Sequence, residues 1–221
     1  METHLADSRA AKKKLSEHIA DQAKFVDEIL QPAVDAAESG DGHLFFVDAA
    51  HFTFGTFLTN LWCFVRVFVR AASGRQRLNV LGAWDATSRT LISVRNTTTV
   101  NAETVCELLR QIASLSLDGP VRIVLDNAKY QRAKIVQSLA AELSIELIFL
   151  PPYSPNLNII ERLWKHVKSK TLRGEYFANF EAFKTAIEKH LDGISTTYRQ
   201  SLKSLMTLKF QTFENMPLLG G

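Results

Sequence analysis

Along the chain, apolar residues recur at helical spacing in some stretches and cluster in short unbroken runs in others. Over residues 16–38 the helical set is Ile19, Ala23, Val26, Ile29 with Leu30, Ala33 with Val34, and Ala37, closed by Ser39-Gly40-Asp41-Gly42. This predicts one or two amphipathic helices, interrupted at Pro32, and then a turn. Leu44-Phe45-Phe46-Val47 is a continuous apolar run that ends in Asp48, as expected of a strand buried on both faces. Residues 78–83 and 90–96 are β-rich runs around the polar segment Asp85-Ala86-Thr87-Ser88-Arg89, the pattern of an antiparallel hairpin. Residues 101–117 carry Val105, Leu108 with Leu109, Ile112 and Leu115 at helical spacing, and Asp118-Gly119-Pro120 stops that helix. A second buried-type strand, 121–125, ends at Asp126. A helix over 129–143 and a strand over 145–150 follow.

Pro151-Pro152-Tyr153-Ser154-Pro155 then forces an extended loop, because each proline also biases its predecessor away from helix. Beyond it, Leu157, Ile160, Leu163 with Trp164, and Val167 form the apolar stripe of a helix over about 156–172, while Glu161, Lys165 and Lys168 share another face. A further helix over 181–194 and a less patterned tail complete the chain. The order of five strands with intervening helices argues for an α/β fold, a mixed sheet with helices on its faces. The expected organisation is a helical leader or linker at 1–41, the main α/β domain at 42–195 and a C-terminal tail at 196–221. There is no internal repeat and no glycine-rich phosphate loop.

Composition narrows the class. With 46% hydrophobic residues and a net charge of +3, the 221-residue chain is of globular type, and no apolar run reaches the roughly 18–20 residues of a membrane span. The two cysteines, Cys63 and Cys106, fit neither a disulfide framework nor a zinc pattern, which points to a reducing, cytoplasmic compartment. Charge is uneven: residues 1–41 are net −4, residues 42–156 net +3 and residues 157–221 net +4. Between His51 and Trp84 there are four arginines (Arg66, Arg70, Arg75, Arg77) and no acid, and between Asn158 and Gly174 five bases face one acid, Glu161. Both stretches suit phosphate neutralisation, and either alone also reads as a solvated face.

The candidate chemistry lies in three acids. Asp48 and Asp126 end buried-type strands, and the loop after the third such strand leads to Glu161. Carboxyl ends of neighbouring central strands gather at one sheet edge, so the three carboxylates are expected to meet there. Such a cluster repels itself unless it holds a cation, and oxygen ligands without accompanying Cys or His select Mg²⁺ or Mn²⁺. Two ions of this kind activate an attacking oxygen and stabilise a leaving oxygen at a phosphodiester.

The strings FFVDAAHF (45–52), VLDNAKYQ (124–131) and LPPYSPNLNIIERLW (150–164) resemble the three acidic motifs of bacterial insertion-sequence transposases in the mariner superfamily. The 34 residues between Asp126 and Glu161 are similar to that branch's spacing, and the likeness runs over roughly residues 20–195. It implies an RNase H-like five-stranded catalytic domain of DDE type, in which Asp48, Asp126 and Glu161 bind two divalent ions. It also implies double-stranded DNA as the partner, both element ends and target, with a homodimer as the active complex in the bacterial, nucleoid-associated cytoplasm. Relatives carry a helix-turn-helix region before this domain, and residues 1–41 are too short and too acidic for one. Ala49 stands where many relatives have a Glu, and Gln131 where they have a His.

Each acid also has a structural reading. Asp48 serves as a plain strand terminator, Asp126-Asn127 as an Asx turn, and Asn158-x-x-Glu161 as a capping box with a Glu161 to Lys165 pair worth about 0.2–0.5 kcal/mol. Lys165, Lys168, Arg162, Lys129, Arg75 and Arg77 are the expected DNA contacts, Trp164 is expected in the core, and His51 is read as a bonded structural histidine. The functional reading is a transposase that cleaves element ends and transfers the 3′-hydroxyl strand. The alternative is a nuclease-only or catalytically silent transposase-derived DNA-binding protein.

Overall fold

The structure is a computed structural model that describes residues 18–55 and 76–210. Five strands form one sheet in the order β3-β2-β1-β4-β5: β1 His43–Thr53, β2 Arg77–Asp85, β3 Leu91–Asn96, β4 Val121–Leu125 and β5 Ile145–Phe149. The first three strands are antiparallel to their neighbours, whereas β4 runs parallel to β1 and β5 runs parallel to β4. This is the mixed sheet that the hydrophobic pattern predicts.

Its helices are α1 Gln31–Ser39, α2 Ala102–Ala113, α3 Lys134–Glu142, α4 Ile160–Val167, α5 Phe180–Asp192 and α6 Arg199–Leu205, with π-helical turns at Val26–Leu30 and Lys168–Leu172. Side-chain alternation along β1 divides the core between the two faces of the sheet. Phe45 and Val47 pack with Val105, Leu109 and Ile112 of α2 and with Val136 of α3. Leu44, Phe46, Ala50 and Phe52 pack with Val34 and Ala37 of α1, Ile160, Leu163 and Trp164 of α4, and Phe183 and Ile187 of α5. Three layers result, helices on both faces of one sheet.

Several boundaries differ from the sequence expectation for identifiable reasons. β1 does not stop at Asp48: it continues to Thr53 by pairing with β2 alone, Asp48 opposite Gly82 and Thr53 opposite Arg77, after its pairing with β4 has ended. The helix expected over 156–172 is split into a 3₁₀ turn at Pro155–Leu157, an extended Asn158, α4 and a π turn. Within the stretch expected as leader, Val26, Leu30, Ala33, Val34 and Ala37 are buried in the core. Upstream of them, Gln22 is buried and donates its amide to Ser154 Oγ at 2.8 Å and to the Tyr153 carbonyl at 3.3 Å. The leader thereby holds the proline loop from beneath, and Tyr153, with φ +56°, is presented to solvent. Among the described residues, no helix is long and apolar enough to cross a membrane.

Candidate functional site

Register brings the first two acids together. Val47 of β1 pairs with Leu125 of β4, so Asp48 and Asp126 are the next residues on two adjacent parallel strands, at the point where their pairing ends. On β1, Asp48 shares the even-numbered face with Phe46 and Ala50, the face covered by α4. Glu161 lies in the first turn of α4. The three candidate acids therefore come from a strand interior, the end of a strand and a helix start; Asp48, expected at a strand end, lies inside β1.

Their electrostatics report the proximity. Burial, then the charge of Asp126 and, less strongly, that of Glu161, push the Asp48 carboxyl up to about 7, against the opposing hydrogen bonds from the Ala49 backbone and Trp164. Burial also raises Glu161, with Asp126 adding to the rise and Lys165 and Lys168 opposing it. Tyr130, which sequence reasoning passed over, belongs to the same neighbourhood: burial and the charges of Asp48 and Asp126 push its phenol up to about 12. It stays protonated at neutral pH as an O–H donor in the field of both acids. Its only sequence signal is its position four residues after Asp126.

The third motif grips the other two. Asn158 is buried and donates its amide both to the Val47 carbonyl at 3.0 Å and to Asp126 Oδ1 at 3.2 Å. Its amide NH2 serves these long-range partners, α4 starts after Ile159 with no side-chain cap, and the capping-box reading of Glu161 falls away. Trp164, buried as expected, donates its indole N–H to Asp48 Oδ2 at 3.0 Å. The expected Asx bonding is replaced by other partners: Asn127 donates to the Leu150 carbonyl at 2.6 Å, while its own oxygen accepts from Arg132 Nε. Buried Gln131 closes the same loop by accepting from the Ala128 N–H. A recess of about 180 Å³ opens beside Asp126 and is walled by Asn127, Leu150 and the proline loop. A larger one, about 870 Å³ between α1, the β2–β3 turn and the C-terminal segment, includes none of the three acids.

The donor set suits a hard divalent cation: three carboxylates, with no Cys or His among the ligand candidates. Among the described residues, no three acidic, His or Cys side chains converge closely enough to cage one ion by themselves. A Mg²⁺-type ion asks for less, since it is bound by one or two carboxylates with water and substrate phosphate completing its shell. Burial is the first cause of the raised Asp48 and Glu161 carboxyls and the neighbouring acids add to it, and a bound cation would oppose both.

The expected DNA contacts divide. Lys165 and Lys168 are exposed beside Glu161, and Lys168 Nζ lies 5.8 Å from the Phe52 ring centre. Lys129 is exposed on the loop after Asp126, and Arg77 is exposed at the start of β2 with one donor on the Thr98 carbonyl. Arg75, like Arg66, Arg70 and Cys63, lies outside the described residues. Arg162 is a correction. Its guanidinium donates to the carbonyls of Leu205, Thr207 and Lys209, so it fastens the C-terminal segment to α4 and has few donors left for a phosphate. His51, as expected, is bonded: its Nδ1 lies 2.7 Å from Asn79 Oδ1.

The fold has clear relatives among solved structures. The Mos1 mariner paired-end complex with Mn superposes with a TM-score of 0.60 at 16% identity, over 86% of this chain and 61% of that one. The Mos1 strand transfer complex gives 0.56 at 14%, over 88% and 63%. The isolated catalytic domain of Mos1 mariner transposase gives 0.52 at 13% identity, over 88% of this chain and 96% of that one. The chain therefore spans about three fifths of the transposase chains in the two complexes and nearly the whole of their catalytic domain. No curated protein matches the sequence. The family model for DDE superfamily endonucleases matches residues 43–184, a span that opens at β1, contains all three acids and ends within α5, and the chain belongs to that family.

Proposed function

We propose that this chain is the catalytic domain of a DNA transposase of the bacterial insertion-sequence branch of the mariner superfamily, working as a homodimer on nucleoid DNA in the cytoplasm. The observation that carries the reading is the convergence of Asp48, Asp126 and Glu161 from three separate elements into one electrostatic neighbourhood flanked by exposed lysines. The proline-rich string 150–164 supports the choice of branch.

In this reading Asp48, Asp126 and Glu161 hold two Mg²⁺ or Mn²⁺ ions. Such ions, when bound, lower the pKa of a bound water or hydroxyl and stabilise a leaving oxygen at a phosphodiester. The chain's own residues do the rest. Asn158 ties the Asp126 carboxylate to the Val47 carbonyl of β1, beside Asp48, and the first turn of α4 carries Glu161. Lys165 and Lys168 supply positive charge on the Glu161 face, where they attract the DNA backbone and oppose the rise in the Glu161 carboxyl. The phenol of Tyr130 offers a neutral donor that adds no charge to the cluster.

Strand transfer is tested by incubating the protein in Mn²⁺ with supercoiled plasmid and a labelled duplex bearing a free 3′-hydroxyl. Label joined covalently to plasmid is the expected result. Breaks without joining would reduce the protein to a nuclease, and a folded protein that neither cuts nor joins would move it to the silent DNA-binding alternative. The basic face has its own test. Lys165→Ala together with Lys168→Ala should weaken duplex binding and reduce the slope of log affinity against log salt by about one for each phosphate left without its lysine. An unchanged slope would return these lysines to a solvated face.

A further inference from the structure

One residue opposite Asp48 has no side chain, and the space it leaves is filled by the residue that bonds Asp48. Asp48 pairs with Gly82 across β1 and β2. The neighbours of Gly82 at alternate positions, Val80 and Trp84, belong to the core on the α4 face, so that is the face a side chain at 82 would occupy. A Cβ built on Gly82 would lie 2.6 Å from Cη2 and 2.8 Å from Cζ2 of Trp164, and 3.2 Å from Cδ1 of Ile160. Contacts under 3.0 Å to a buried ring are not relieved by a small rotation, because Trp164 is 4% exposed and lies edge-on to the Phe52 ring at 6.4 Å. Gly82 has no positive φ to explain its identity. What the glycine provides is room.

We propose that Trp164 is a positioning residue for Asp48 and that Gly82 is the clearance that lets it act: the indole enters the slot over Gly82, holds Asp48 Oδ2 with its N–H, and so fixes the orientation in which the carboxylate would meet a divalent cation. The inference rests on the metal-dependent reading above and goes one step inside it. An indole N–H is a donor only, carried on a flat ring with two torsions, so a wedged Trp is a fixed donor with a single choice of partner. An ionised carboxylate has about four acceptor sites on two oxygens, and a fixed donor on one of them, beside the Ala49 backbone bond, locks the rotamer while leaving sites open for a cation. Residues that orient a metal ligand in this way typically change metal affinity by about 10- to 100-fold when removed. Because Glu161 lies three residues before Trp164 on α4, the same helix that brings the third carboxylate also orients the first.

A core-filling role for Trp164 requires only its shape, whereas the positioning role requires its N–H, and the two separate on that difference. The full-length protein, free of DNA, is titrated with Mn²⁺ and the free ion is read by electron paramagnetic resonance. Three variants are compared with wild type: benzothienylalanine in place of Trp164, which keeps the shape and lacks the N–H; Trp164→Phe; and Gly82→Ala. Thermal melts report whether each is folded. The expected result is a Mn²⁺ Kd weakened about 10- to 100-fold by benzothienylalanine at an unchanged melting temperature. Gly82→Ala should weaken binding comparably in the wild-type background and add little on top of Trp164→Phe, since the two act on one ring. Wild-type affinity in the benzothienylalanine protein overturns the positioning role and leaves the metal-dependent reading standing. Absence of Mn²⁺ binding by folded wild type overturns both.

Discussion

Asp126→Asn and Glu161→Gln should each lower Mn²⁺-dependent nicking of supercoiled plasmid by more than about 100-fold, beyond what the loss of a partner outside the coordination shell causes, while leaving the fold and duplex affinity in place. Both substitutions preserve shape and replace a charged oxygen pair by a neutral amide, a poor ligand for a hard divalent ion. The fold is expected to survive. Asp126 is held through its Oδ1 by the Asn158 amide, and an Asn oxygen can still accept that bond, though more weakly than a carboxylate. Glu161 is partly exposed and makes no hydrogen bond that α4 requires. Binding is expected to persist because the lysines beside Glu161 are untouched, and removing one negative charge from the site lessens repulsion of the DNA backbone. A folded Asp126→Asn protein that nicks at the wild-type rate would remove Asp126 from the chemistry, and the triad with it.

That the three acids were legible in sequence while their wiring was not has a physical basis. Strands buried on both faces write themselves as continuous apolar runs, which is why β1, β4 and the acids at or beyond them stand out. The register that sets Asp48 beside Asp126 comes from the structure, where Val47 of β1 pairs with Leu125 of β4. The continuation of β1 to Thr53 was hidden because residues 49–53 mix small, polar and aromatic side chains, and they stay in the sheet only through pairing with β2. The break before α4 was hidden for a different reason. The apolar stripe runs unbroken through Leu157, Ile160 and Leu163, but Asn158 is drawn out of the helix by partners more than 30 residues away. The same holds for Arg162, whose charge suggested DNA and whose carbonyl partners lie more than 40 residues downstream. For Trp164 the apolar stripe announces burial correctly and says nothing of where the N–H points. Gly82 reads as an unremarked glycine in a strand until the residue packed over it is known.

Asp48→Asn should make the metal-free protein more stable at pH 8, and the gain should vanish in acid. The Asp48 carboxyl is raised from 3.8 to about 7 by burial first, then by Asp126 and Glu161. Between these two values the native state keeps a proton that the unfolded chain has lost, so stability from this group is complete below the unfolded value and is lost as pH rises through about 7. A tenfold change in proton affinity is worth about 1.4 kcal/mol, so at pH 8 the wild-type protein carries a penalty on the order of 4 kcal/mol. The neutral amide avoids it and can still accept from the Trp164 indole. Lowered histidines act in the opposite sense: burial and His166 depress His190 to about 4, so stability falls as pH drops from about 6.5, where the unfolded chain binds the proton, to about 4, where the native ring does. Both proteins carry these histidines, so the difference between them isolates Asp48. For a chain of this size the gap at pH 8 corresponds to a rise in Tm of roughly 8–16 °C, shrinking towards zero by about pH 4. Saturating Mn²⁺ at pH 8 should close much of it by stabilising the wild type, because a bound cation removes the repulsion that the substitution removes. An Asp48→Asn protein no more stable than wild type at pH 8 would mean that the three carboxylates do not share one buried field.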